Sequence, residues 1–240
     1  MHITSEMKMV DVVQHDIQLL AVIQRFEIPL GFKERTVSEV CHSHNVDVNF
    51  FLLIANSFHD KEFLDWNKFK AFPVEWMITY LRNAHKCYVH YRIPEIERQI
   101  KNFERQVDTN EQNVVLLLNF FRKYITEFNT HIDQEEVKVF PYILSLNNAL
   151  NTGDRAKARL EHPLMVQFQE EHSNIEESLF DLKSILLKYL PPPVNNCLYN
   201  NLVFDIFRLE RDLMDHAELE ESVLYPWVRD MEEKLMSKSK

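Results

Sequence analysis

The stretch Ile206-Phe-Arg-Leu209-Glu-Arg-Asp-Leu213-Met-Asp-His216-Ala-Glu-Leu-Glu220-Glu-Ser-Val223-Leu-Tyr-Pro-Trp227 has the pattern of a long helix packed against others. Ile206, Leu209, Leu213, His216, Glu220, Val223 and Trp227 recur three and four residues apart, the spacing of a helix face that packs against other helices. Within that face His216 and Glu220 stand one turn apart where apolar residues are expected. Polar groups aimed into a core need partners.

Three more seams of the same kind lie upstream. One runs Val74, Ile78, Leu81, His85, Tyr88; a second Phe121, Tyr124, Phe128, His131, Glu135, before shifting to Val139 and Tyr142; a third Met165, Phe168, His172, Ile175, Leu179, Leu182, Leu186. The patterns predict long helices over about 73–107, 111–147, 155–190 and 195–235, separated by Asp108-Thr109-Asn110, by the polar run 147–154 and by Pro191-Pro192-Pro193. Short connections between long helices imply an up-down-up-down four-helix bundle. Pro94, inside the first, predicts a local kink or break.

The first seventy residues read differently. Val13, Ile17, Leu20 and Ile23 suggest one short helix between Val10 and Phe26, ended by Ile28-Pro29-Leu30-Gly31. Thr36 with Glu39 has the form of a capping box, and Asp47 caps a further helix carrying Phe50, Phe51, Leu53 and Ile54. The expectation is an all-α chain, with a small three-helix N-terminal domain over 1–70 and the bundle over 71–240.

Composition narrows the function. With 45% hydrophobic residues, 17 Phe among them, the 240-residue chain can bury a sizeable core. Only 2 Gly disfavours glycine-rich phosphate loops and tightly turned β-folds. The balance of 37 acidic against 27 basic residues, a formal charge of -10, removes the driving force for binding nucleic acid. The 3 cysteines, Cys41, Cys87 and Cys197, form no CxxC pair and suit a reducing compartment, where they read as small buried hydrophobes. The start has no signal-like pattern and no stretch is apolar enough for a membrane span, so the expected location is the cytoplasm.

The inward polar residues carry the chemistry. Among 11 His, about one His-x-x-x-Glu pair is expected by chance, whereas the chain has His2/Glu6, His131/Glu135, His172/Glu176 and His216/Glu220. The spacing alone is weak, and a lone core histidine is usually hydrogen-bonded packing. The joint placement on four seams is what counts. Buried imidazoles with buried carboxylates are costly unless a metal partners them, and carboxylates able to bridge two ions beside several nitrogens point to a dinuclear centre, iron in particular. Glu176 falls off its seam. The paired Glu-x-x-His arrangement of ferritin-like bundles is missing, the single example being Glu39 to His42.

The segments His131-Ile-Asp-Gln-Glu135-Glu-Val-Lys-Val-Phe-Pro141 and His216-Ala-Glu-Leu-Glu220-Glu-Ser-Val-Leu-Tyr-Pro226 resemble the paired His-x-x-x-Glu and Phe/Tyr-Pro motifs of hemerythrin-like domains. Glu171-His172 and the stretch from His85 to Ile93-Pro94 resemble the other two ligand helices. The N-terminal segment, with Thr36-Val-Ser-Glu-Val-Cys41 and Val46-Asp47, is similar to that of the di-iron proteins that repair iron-sulfur clusters. This resemblance implies His85, His131, His172 and His216 as terminal ligands, with Glu135 and Glu220 bridging two iron ions that share an oxo or hydroxo bridge. Counted back from Pro94, the family histidine falls at Lys86; His85 lies on the seam and His90 off it, so His85 is preferred and His90 stays the alternative. Adjacent cysteines common in that family before the position of Thr36 are absent here, where Pro29-Leu-Gly-Phe-Lys-Glu-Arg35 stands.

Two functions follow from the resemblance. One is a di-iron protein of nitrosative or oxidative stress that supports iron-sulfur cluster repair or handles NO or O2, with Tyr88, Tyr124, Phe128 and Phe168 as an apolar shell. The other is a non-catalytic O2 or NO sensor signalling through the N-terminal domain or a partner. Expected partners are O2 or NO and iron-sulfur proteins, with neither nucleic acid nor membrane, and the oligomeric state is open, a homodimer included.

Overall fold

The structure, a computed structural model, describes residues 2–58, 63–106, 112–153, 179–188 and 196–237. In chain order these form α1 (Met9–His15), α2 (Leu19–Arg25), α3 (Val37–Ser43), α4 (Val48–Ser57), α5 (Trp66–Phe69), α6 (Val74–Cys87), α7 (Ile93–Glu104), α8 (Gln112–Gln134), α9 (Phe140–Thr152), α10 (179–188), α11 (Asn196–Leu219) and α12 (Tyr225–Ser237). The chain is all-α as expected; among the described residues the sole β-type pairing is an isolated bridge from Lys8 to Thr36.

Local sequence explains the N-terminal elements. Thr36 and Glu39 close the capping box, with Glu39 N donating to Thr36 Oγ1 at 3.2 Å and Thr36 N to Glu39 Oε2 at 2.8 Å. Asp47 Oδ1 accepts from Phe50 N at 2.9 Å at the head of α4. The stretch expected as one helix is two. Asp16 adopts an extended conformation, and its side chain accepts from Gln18 N at 2.8 Å, a local bond that competes with helix continuation. The break shifts the buried face to Val12, Leu19, Val22 and Ile23, and leaves Ile17 64% exposed.

The chain divides into two compact units, one of Met1–Ala84, Leu144–Ala158 and Glu218–Lys240, the other of His85–Ile143 and Arg159–Ala217. In the first, Phe26 packs on Tyr80 with ring centroids 5.2 Å apart, and Phe50 packs edge-on against Trp76 at 5.6 Å. Buried Arg25 lies over the Tyr80 ring, and Asn83 Nδ2 donates to its carbonyl at 2.8 Å. In the second, α8 buries Leu117, Phe121, Tyr124, Phe128 and His131, while α11 buries Leu202, Ile206, Leu209 and His216. Each large apolar side chain so buried is worth roughly 1.5–3 kcal/mol before the entropy of ordering it.

The kink or break expected at Pro94 takes the form of a π turn. Between α6 and α7, Tyr88–Arg92 form a π turn closed by Ile93 N to Tyr88 O. Glu135–Val139 form another between α8 and α9, closed by Phe140 N to Glu135 O, and Glu220–Leu224 a third between α11 and α12, closed by Tyr225 N to Glu220 O. In each case the next residue is proline: Pro94, Pro141 or Pro226. A proline ring in a regular helix meets the carbonyl four residues back, and the wider π turn relieves that conflict. The extra residue also explains why the second seam shifts after Glu135.

Candidate metal centre

His85, His131, Glu135, His216 and Glu220 are all buried, the two carboxylates to 1% exposure. Their elements deliver them in a regular way. His131 sits one turn before the second π turn and Glu135 opens it; His216 and Glu220 repeat the relation on α11 and the π turn that continues it. His85 comes from the last turn of α6.

His85 Nε2 lies 3.1 Å from His216 Nε2 and 3.2 Å from Glu135 Oε2. The other Glu135 oxygen, Oε1, lies 3.4 Å from His131 Nε2. One carboxylate therefore presents each of its oxygens to a different imidazole, as a carboxylate spanning two ions does. His85, Glu135, His216 and Glu220 each offer one ligand atom, and these atoms fall within 4.8 Å of one another. Two imidazole nitrogens and two carboxylates at such range, in an apolar surrounding, form a donor set that suits a cation and is poorly suited to anything else. The residues fit a metal.

The ring of His85 is held from outside the cluster as well. Its Nδ1 lies 2.9 Å from Glu136 Oε1, and Phe140 stacks on it with centroids 5.4 Å apart and planes 9° apart. Tyr88 meets His216 edge-on at 5.7 Å, and its hydroxyl donates to the Asp212 carbonyl at 3.2 Å. Tyr124 and Phe128 are buried on α8. Burial, helped by the nearby Glu210 carboxylate, pushes the Tyr124 phenol well above its usual range, so it stays a neutral hydroxyl.

Of the six residues named as ligands from the sequence, the structure brings five to one place. The sixth, His172, lies outside the described residues, together with Glu176 and Phe168. His90 is exposed, which leaves His85 as the inward histidine of its helix. The cysteine reading needs correction: Cys41 is buried, with its thiol pushed by burial up to about 12, but Cys87 is half-buried and Cys197 is exposed. Sequence reasoning overlooked Glu136 and gave Phe140 no role toward His85. A signal was present in the doubled acid, Glu135-Glu136 and Glu220-Glu221, that follows both motif histidines.

Residues 94–228 match the hemerythrin HHE cation binding domain. The chain belongs to the hemerythrin family. Its fold is accordingly that family's helical bundle, and the matched span takes in His131, Glu135, His172, His216 and Glu220, while His85 precedes it. The hemerythrin chain is also similar to the protein called iron-sulfur cluster repair protein YtfE in Salmonella paratyphi B, Salmonella newport and Salmonella heidelberg. Each is 25% identical over 198 residues, which cover 80% of this chain and 82% of the relative. Among the described residues no helix of this hemerythrin protein is long and apolar enough to cross a membrane.

Proposed function

We propose that this chain is a non-haem di-iron protein of the nitrosative or oxidative stress response that supports repair of iron-sulfur clusters or handles NO or O2. The observation carrying this reading is the buried set His85, Glu135, His216 and Glu220, with ligand atoms within 4.8 Å, in a chain similar to proteins named for iron-sulfur cluster repair. In the reading, His131 and His172 complete the terminal ligands, and Glu135 and Glu220 bridge. Bound there, two irons would supply redox change and open coordination positions for a diatomic ligand. The protein's own part is to hold the imidazoles in place and, through Tyr88, Tyr124 and Phe128, to keep bulk water from the site. Partners are then O2 or NO and damaged iron-sulfur proteins, in the cytoplasm, with residues 1–70 as an accessory domain and a homodimer as one assembly to test.

A second reading, a sensor without turnover, is favoured by one feature. The α6 helix that carries His85 also carries Tyr80 and Trp76, which pack on Phe26 and Phe50 of the N-terminal segment. In this reading a change at His85 would pass along its own helix to that segment. Iron content per chain after anaerobic purification, with absorption spectra before and after O2 and NO, tests the common part. About two irons with gas-sensitive near-ultraviolet bands is the expected result; no stoichiometric metal even after ferrous reconstitution would sink both readings. Recovery of an NO-damaged iron-sulfur enzyme on adding the loaded protein separates repair from sensing.

A further inference from the structure

The imidazole of His85 is gripped by three residues of one continuous helix. Glu135 Oε2 stands 3.2 Å from Nε2, Glu136 Oε1 stands 2.9 Å from Nδ1, and Phe140 covers a face of the ring. Consecutive carboxylates thus meet opposite edges of one ring, at the start of the π turn Glu135–Val139. The two differ in exposure. The Glu135 side chain is 2% exposed and that of Glu136 31%, so the first belongs to the buried donor set and the second reaches in from the rim.

We infer that Glu136 is the positioning residue of His85, accepting the Nδ1 proton and so fixing the ring with Nε2 turned toward His216 and Glu135, where a metal would take its lone pair. An imidazole carries one proton in its neutral form, and the nitrogen that donates it outward leaves the other free as a ligand. A carboxylate acceptor strengthens that bond and makes the ring more basic, which in metal sites is commonly worth a factor of about 10–100 in affinity. Phe140 adds the second constraint, preventing rotation about the ring's long axis. The inference rests on the metal-centre reading for its consequence, but the Nδ1–Glu136 bond it assigns belongs to the chain alone.

Two measurements on the full-length protein test it. In the metal-free wild-type chain, long-range proton–nitrogen correlation spectra of the histidine rings should show a proton on His85 Nδ1, and Glu136→Ala should reduce its occupancy there. A wild-type His85 protonated on Nε2 with a bare Nδ1 overturns the assignment without any variant. In chains loaded anaerobically with ferrous iron and challenged with excess ferrozine, Glu136→Ala should release iron roughly 10–100-fold faster than wild type. Glu136→Gln, whose amide oxygen still accepts the proton, should recover much of the retention. Equal release by wild type and Glu136→Ala overturns the inference while leaving the di-iron reading intact. A wild-type chain that binds no iron defeats the di-iron reading, and the Nδ1 proton then decides the inference by itself.

Discussion

At the scale of single residues, the donor set makes unequal demands on its members. Glu135 faces two histidines at once, so Glu135→Ala should lower bound iron from about two per chain to below one, and Glu220→Ala should do the same. Elemental analysis of the purified variants checks this, and two retained irons in either would exclude that residue as a bridge. His90→Ala should leave metal content unchanged, because the side chain is exposed. Cys41 supplies a pH effect of known sign. Folded, its thiol keeps its proton to about 12, against 9.0 for an ordinary thiol, so between those limits the unfolded chain binds fewer protons and stability falls as pH rises. Denaturant unfolding of wild type and Cys41→Ala between pH 8 and 10 should show the wild-type advantage shrinking with pH. The inward histidines are legible because each interrupts an apolar seam. Glu136 is not, since a half-exposed glutamate on a polar helix face has no periodicity to break.

At the scale of elements, the π turns join sequence to chemistry. Seam periodicity located the long helices, because burying one face of each is what holds them, whereas it missed the break at Asp16, which a single side-chain bond creates. The kink or break expected at Pro94 appears as a π turn, and a proline stands two residues beyond the end of each of the three. Pro226→Ala removes the ring that disfavours a regular helix there. The metal-free protein should gain stability, by at most the ~3 kcal/mol that proline costs inside a helix, and the loaded protein should lose iron faster. Thermal unfolding and chelator challenge of the one variant report both. A Pro226→Ala chain that holds iron as wild type does would show that packing alone keeps the π turn. At the other end of the chain, Thr36→Ala should cost about 1 kcal/mol through loss of the capping box, read as a shift in denaturant midpoint with an unchanged slope.

At the scale of the whole molecule, metal and fold are linked. Carboxylates buried to 1% exposure beside imidazoles strain the metal-free state, so a cation that binds the folded chain alone should raise the unfolding temperature. At free metal about 1,000-fold above its dissociation constant the gain is about 4 kcal/mol. Scanning calorimetry of the loaded protein with and without chelator measures it, and identical traces would make the inward histidines mere packing. The acidic surplus, -10 in net charge, is a whole-molecule property too; it was readable at once from composition and works against nucleic acid as a partner.

A helix that spends five residues where four would close the turn has the geometry of a one-residue insertion. Removing Val137, 72% exposed and in the middle of Glu135–Val139, should therefore yield a chain that is shorter by one and still helical from α8 through α9. Its core would keep register while Glu135 and Glu136 lost their common grip on His85. Such a deletion separates foldedness from metallation: the site is encoded in the chain's length as much as in its letters.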